Sequence, residues 1–308
     1  MEPDVMDARR TEILETRRYY SGLGLWPAIP GGINPEGWLS NFRADLDQQI
    51  AIELLDSFVH FSSGQTKRLI SSAFHALSYQ VERMRGVPPY SGSGWREYLA
   101  NVQVSYPQED ERDPAGSGRI FLRQARANLL PSEEQLHDPD DLLIKLAHSN
   151  VPSDIILIDD FAGSGDQFLK AMRREVQINA TEATSYAELI NERKLDTCYY
   201  LPAVATSKAV ERIQGEIPFI EVRPAHVLPD RYSASHAKTL LVPDQLRDGL
   251  DGFLRRHARK AGYSEAGRYG HRGSGLAISF DHGVPDNTLP LFTAEASGWV
   301  PLRKRLQE

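Results

Sequence analysis

Apolar positions change their period along the chain, and the change predicts two kinds of local architecture. Phe42, Leu46, Ile50, Leu54, Leu55, Phe58 and Phe61 recur at helical spacing, the repeat that places side chains on one face. Ser40 or Asn41 stands where a side-chain cap is expected. A second helix is expected from about Gln65, with Leu69, Ile70, Ala73, Phe74, Leu77, Val81 and Met84 on one face and Gly86-Val87-Pro88-Pro89 as its stop. Ahead of these, residues 1–37 mix charge with turn signals such as Pro27-Ala28-Ile29-Pro30-Gly31-Gly32. They predict an arm packed on the domain or on a partner. Residues 107–118 are polar and rich in breakers, a surface loop. Arg119 to Leu122 reads as a short strand, and Leu129 to His148 as a helix interrupted at Pro139.

Beyond residue 150 the pattern turns. Ile155-Ile156-Leu157-Ile158 is a continuous apolar run, as expected for a strand buried on both faces. Ser164 to Val176 suits a helix with Phe168, Leu169 and Met172 inward. Cys198 to Ala205 reads as a strand, followed by a helix through Val210 and Ile213. Ile217 to Val222 is a third strand, Leu246 to Ala261 a helix, and Leu276 to Phe280 a last strand. Strands alternating with helices predict an α/β fold with a mostly parallel sheet flanked by helices, preceded by an N-terminal helical portion. The expected division is an arm (1–37) and one domain (38–308), the latter mainly helical over 38–110 and α/β over 111–308.

Composition narrows the partners. With 308 residues, 41 % hydrophobic and 25 % charged, the chain is an ordinary globular protein of one large domain or two modest ones. A net charge of -7 argues against a surface built to grip nucleic acid, so direct nucleic-acid binding is not expected, although a few Lys and Arg would serve a local patch. Cys198 is the only cysteine; it lies in an apolar strand as core, and a reducing compartment fits. No apolar run approaches the ~20 residues of a membrane span, and Met1 to Arg18 lacks a signal peptide's apolar stretch. A cytoplasmic protein without membrane attachment is expected.

The chemistry concentrates in Asp154-Ile155-Ile156-Leu157-Ile158-Asp159-Asp160-Phe161-Ala162-Gly163-Ser164-Gly165-Asp166-Gln167. A buried strand ends in two carboxylates, then a glycine-rich turn, then a helix. Ligands of open parallel sheets sit beyond the carboxyl ends of the strands, and a helix N-terminus offers unpaired N–H groups to a phosphate. Gly163 and Gly165 would let the backbone approach it, and Ser164 could add a hydroxyl. Asp159 and Asp160 could accept from ribose hydroxyls or help hold a divalent metal through a bound diphosphate. The plain alternative is a tight strand-to-helix turn with a capping serine. The order of four apolar residues, two acids, two glycines and a helix favours a ligand loop.

This segment resembles the PRPP-binding motif of type I phosphoribosyltransferases, in which an apolar strand and two acids precede a loop ending Thr-Gly-x-Thr. The match is closer still to the phosphoribosyltransferase-like domain of bacterial conflict systems, whose loop reads Asp-Asp-Phe-x-Gly-Thr/Ser-Gly-x-Gln. That family also carries a Pro-x-Asn-Thr-Leu-Pro segment, here Pro285-Asp286-Asn287-Thr288-Leu289-Pro290. The resemblance spans roughly Trp38 to Phe292. It implies that Asp159 and Asp160 bind the ribose hydroxyls, with Mg²⁺ held through the ligand, and that Phe161, Ala162, Gly163, Ser164, Gly165, Asp166 and Gln167 wrap the 5′-phosphate. It further implies that Arg123, Arg126 and Asn287 join the site. An anti-phage role, with a protein partner from a defence operon, follows from the resemblance alone.

Departures from the motif matter as much. Several phosphoribosyltransferases place a catalytic acid just before the Thr-Gly pair; here that position is Gly163, so no base carries over. Asp166 sets a negative charge beside the expected phosphate unless its side chain points outward. A non-catalytic nucleotide sensor or docking module is therefore the alternative reading. The loop also resembles Asp-Pro-Phe-Ala-Gly-Ser-Gly of S-adenosylmethionine-dependent DNA methyltransferases, with Val87-Pro88-Pro89-Tyr90 echoing their Asp-Pro-Pro-Tyr. Val87 lacks the needed polar group, Asp160 replaces a proline, and the strand 198–205 does not end in an acid. A nucleoside triphosphatase lacks its Gly-x-x-x-x-Gly-Lys-Ser/Thr segment. Arg119, Arg123 and Arg126 could converge on pyrophosphate or form a solvated helix face. His271 to Gly275 and the run Arg255, Arg256, His257, Arg259, Lys260 read as surface turn and helix end, while His282 could line a pocket.

Overall fold

The computed structural model describes residues 3–88, 91–108, 121–122, 132–296 and 298–305, which divide into two units. One unit is made by the chain up to Gln65 and from Pro229 onward; the other is Thr66–Leu228.

The first unit opens with α1 (Pro3–Gly22), α2 (Pro35–Leu39) and α3 (Asp45–Asp56), then β1 (Val59–Phe61), and α4 (Ser63–Met84) starts at its boundary. Residues 3–22, read from sequence as part of an arm, are helical. Arg17 of α1 is buried and donates to the carbonyls of Leu55 and Asp56 at the end of α3, where the last carbonyls lack i+4 partners within the helix. The expected caps at Ser40 and Asn41 do not cap α3: it starts after Ala44, with no side-chain cap. Asn41 Nδ2 instead donates to Trp38 O and Val300 O, both at 2.8 Å. Phe61 leaves the helical face for β1, and Leu46 is exposed.

The second unit holds α5 (Ser93–Asn101), β2 (Gln103–Ser105), α6 (Pro139–His148), β3 (Ser153–Ala162), α7 (Asp166–Arg173), the β4 (Val176–Gln177) and β5 (Ala183–Thr184) pair, α8 (Tyr186–Asn191), β6 (Leu195–Thr206), α9 (Ser207–Glu216), β7 (Ile220–Val222) and β8 (His226–Leu228). Its main sheet runs β2-β3-β6, with β7 and β8 sharing the far side of β6, and every pair is parallel. The apolar run does form the buried central strand. Ile155 and Leu157 pack with Leu142, Leu146, Phe168, Met172 and Ile213 from the helices, each such burial being worth ~1.5–3 kcal/mol. Tyr199, the next residue along from Cys198, meets Tyr98 of α5 edge-on. The chain is thus α/β with a parallel sheet flanked by helices. Two local expectations fail. Pro139 opens α6 instead of interrupting a helix, because a first-turn residue needs no N–H. Phe121 and Leu122 are helical, not strand; Arg119 and Ile120 lie outside the described residues.

The chain returns to the first unit through α10 (Arg247–Lys260) and β9 (Ile278–Phe280). The last expected strand is shortened to β9 and pairs with β1 in a separate two-stranded parallel sheet. An aromatic core forms around Trp38, Phe42, Phe253 and Phe292, with Trp38–Phe292 centroids at 5.0 Å and Phe42–Phe253 at 5.2 Å. The basic run of α10 partly serves structure: Arg255 pairs with Asp251 at 2.8 Å, and Arg256 and buried His257 both hold Asp47. Among the described residues, no helix is long and apolar enough to cross a membrane.

Candidate functional site

β3 continues past its apolar run, so Asp159 and Asp160 belong to the strand and do not follow it. Asp159 faces Pro202 of β6 in the parallel register, and proline cannot donate a ladder hydrogen bond. The Asp160 N–H donates to Asp159 Oδ1 at 2.9 Å, and the Tyr200 hydroxyl donates to Asp159 Oδ2 at 2.7 Å. Asp159 is only 5 % exposed. Burial first, and the neighbouring Asp160 charge second, lift it well above the usual carboxylate range. Burial, then Asp159, likewise raises the Tyr200 hydroxyl. Asp160 is half-buried.

The turn beyond the strand needs its glycine. Gly165 has φ +77°, and a Cβ there would lie 3.0 Å from Ile213 Cγ1, so a side chain would meet both backbone strain and α9. Gly165 is also the N-cap of α7, with no side-chain cap. Ser164 Oγ accepts from the Asp166 N–H at 3.2 Å and donates to Asp166 Oδ2 at 3.1 Å. The β6–α9 junction holds the loop from outside. Thr206 Oγ1 donates to Gly163 O at 2.6 Å while accepting from Ala209 N–H at 3.0 Å. Arg212 donates to Asp166 Oδ1 at 2.7 Å and to Ser164 O at 3.0 Å.

Asp166 therefore does not point outward: its side chain is 14 % exposed and turned to Arg212. That pairing, above all the hydrogen bond to Asp166, holds Arg212 more firmly protonated than usual. The negative charge that sequence placed beside a phosphate arrives with its own counter-ion.

The structure brings residues 159–167 together as one strand end, turn and helix start. Phe161, Ala162 and Gly165 are buried, Gly163, Ser164 and Asp166 half-buried, and Gln167 exposed. Arg123 and Arg126 lie outside the described residues, as does Arg119. Asn287 belongs to the other unit, where its Nδ2 donates to Ser274 Oγ at 2.7 Å and its carbonyl accepts from Leu276 N–H at 3.0 Å, bracing the 271–275 turn. His282 lies beside Phe280, with ring centroids 5.5 Å apart. Cys198 is core, its thiol pushed far up by burial. Among the described residues no three His, Cys, Asp or Glu side chains gather as a metal cluster.

Sequence reasoning missed Tyr200, Thr206 and Arg212. Tyr200 had a signal: a carboxylate inside an apolar strand needs a buried donor, and the neighbouring strand offers Tyr199-Tyr200. Arg212 had none, since only the packing of α9 brings it to the loop. The chain matches the family model described as PRTase-CE over residues 35–305. None of the curated proteins matches it.

Proposed function

The chain belongs to the PRTase-CE family of phosphoribosyltransferase-like domains, and on that premise we propose that the loop from Asp160 to Gln167 binds the ribose phosphate of PRPP or a related nucleotide. The observation that carries the reading is the finish of β3: a parallel strand end, a glycine turn and an α7 start without a side-chain cap, with Asp166 already paired to Arg212. Backbone N–H groups at that turn suit a phosphate, and Asp160 suits a ribose hydroxyl. Gln167 extends the same loop.

Mg²⁺ fits here only as an ion that arrives with its ligand. Asp159 is buried against Tyr200 and the Asp160 N–H, so the half-buried Asp160 is the more accessible carboxylate to hold the ion beside the ligand's phosphates. Once bound, the ion would offset charge on a departing pyrophosphate. The resemblance of the loop and of Pro285–Pro290 to the conflict-system domain supports a place in bacterial anti-phage defence, with a protein partner from the same operon. A nucleotide sensor without turnover is the second reading, favoured by Gly163 where catalytic relatives carry an acid.

Calorimetric titration of PRPP, nucleoside monophosphates and S-adenosylmethionine, each with Mg²⁺, tests the proposal in the full chain and in Asp160→Asn. PRPP or a nucleotide should bind, and the substitution should weaken it at least about tenfold, the value of one charge-assisted hydrogen bond. Binding of S-adenosylmethionine alone, or of nothing, would overturn the reading. Release of labelled pyrophosphate then separates an enzyme from a sensor.

A further inference from the structure

We infer that Asp159 does not touch the ligand: together with Tyr200 it is a positioning pair that sets the peptide of Asp160, and Asp160 alone meets the ribose. The inference rests on the ribose-phosphate reading above and changes which residue of the acid pair does the recognition.

Three contacts carry it. Asp159 is 5 % exposed, and each of its oxygens is engaged inside the protein, Oδ2 by the Tyr200 hydroxyl at 2.7 Å and Oδ1 by the Asp160 N–H at 2.9 Å. The second bond fixes Asp160's own backbone at the strand end. The Tyr200 ring stacks on Phe168 of α7, with centroids 4.0 Å apart and planes inclined by 27°. Tyr200 therefore ties β6 to both ends of the loop, by its hydroxyl to the strand end and by its ring to the helix that follows. Tyr200 thus joins Thr206 and Arg212 in holding the strand end and the turn in place. To reach a ligand Asp159 would have to turn out of the interior and leave the buried Tyr200 hydroxyl without its acceptor, a cost of ~1–3 kcal/mol.

An amide can replace a carboxylate that only positions. At residue 159 its oxygen still accepts from the Asp160 N–H, and its NH₂ donates to the phenol oxygen of Tyr200. PRPP with Mg²⁺ is titrated into the full chain and into Asp159→Asn, Asp159→Ala, Asp160→Asn and Tyr200→Phe, with melting temperatures measured in parallel. Asp159→Asn should bind within about threefold of wild type, whereas Asp160→Asn and Asp159→Ala should each lose at least about tenfold. Tyr200→Phe should weaken binding about threefold or more although Tyr200 touches no ligand. The rescue by asparagine but not alanine separates positioning from contact. A folded Asp159→Asn as damaged as Asp160→Asn overturns the inference and leaves the ribose-phosphate reading standing, as does unchanged binding in Tyr200→Phe. No PRPP or nucleotide binding by wild type overturns both.

Discussion

β1 and β3 each run parallel to a neighbour and each lead within a few residues into a helix, but their ends are finished in opposite ways. At the end of β1 the chain satisfies itself. The Ser63 N–H, at the start of α4, donates to Asp281 Oδ2 at 2.6 Å, and Ser62 and Gln65 cap each other. Behind them Arg303 donates to His60 Nδ1 at 2.9 Å and to Asp281 O at 2.7 Å. Arginine only donates, so Nδ1 is the acceptor and His60 Nε2–H donates to Asp281 Oδ1 at 2.9 Å. His60, Ser279 and Arg303 are all buried. At the end of β3 the helix start has a left-handed glycine and no side-chain cap. A helix start already holding a carboxylate is a structural lock, while at α7 the glycine N-cap supplies no acceptor and Ser164 takes only the Asp166 N–H. The two ends share a plan and differ in the side chains that close them.

The largest effect that would test this contrast is on the locked end. Arg303→Ala takes the buried donor from the Asp281 carbonyl and one of two from His60 Nδ1, which keeps Ser279 Oγ at 2.9 Å, and should cost about 3 kcal/mol in urea denaturation through lost hydrogen bonds and packing. Loss of less than about 1 kcal/mol would mean that this end is not a lock.

The next effect is set by pH. Burial, then Arg303, lowers His60 from 6.5 to about 4. A histidine whose folded pKa lies below its unfolded one binds fewer protons when folded. Its contribution is therefore complete above about pH 6.5 and is lost as the pH falls toward 4, by up to about 3 kcal/mol. NMR titration of the ring should show His60 neutral down to about pH 4, and protonation near pH 6.5 would contradict the lock.

The smallest effect in stability, and the most specific in binding, belongs to the β3 end. Arg212 and Asp166 are partly exposed, so Arg212→Gln should cost under about 1 kcal/mol in denaturation. It should nonetheless weaken phosphate binding about tenfold, because the Asp166 charge then stands beside the anion without its arginine. Adding Asp166→Asn to Arg212→Gln should restore much of that loss. Equal phosphate affinity in all three proteins would remove the electrostatic difference between the two ends.

The loop was legible because its signals are local. Four consecutive apolar residues ending in Asp159-Asp160, then Gly163 and Gly165, name a strand, an acid pair and a turn within fourteen residues, and the parallel α/β sheet follows from their alternation with helices. The helical character of residues 3–22 was obscured by charge at nearly every turn, since that helix is held by Arg9 and Arg17 reaching across to α3. The separate pairing of β9 with β1 was invisible because three-residue strands carry too little pattern to name their partner across some 220 residues.

By itself the sequence determined what is written within one turn of helix or one strand: the buried run of β3, the glycine bend, and a loop whose donors suit a phosphate. Which of two adjacent carboxylates is withdrawn from solvent, and which cation neutralises Asp166, were decided only in the folded chain. Tyr200 meets Asp159 through the β3–β6 pairing, and Arg212 meets Asp166 through the seat of α9 beside the loop. Both contacts join residues more than forty positions apart, and a pairing over that distance is chosen by sheet register and helix packing, which no local pattern encodes.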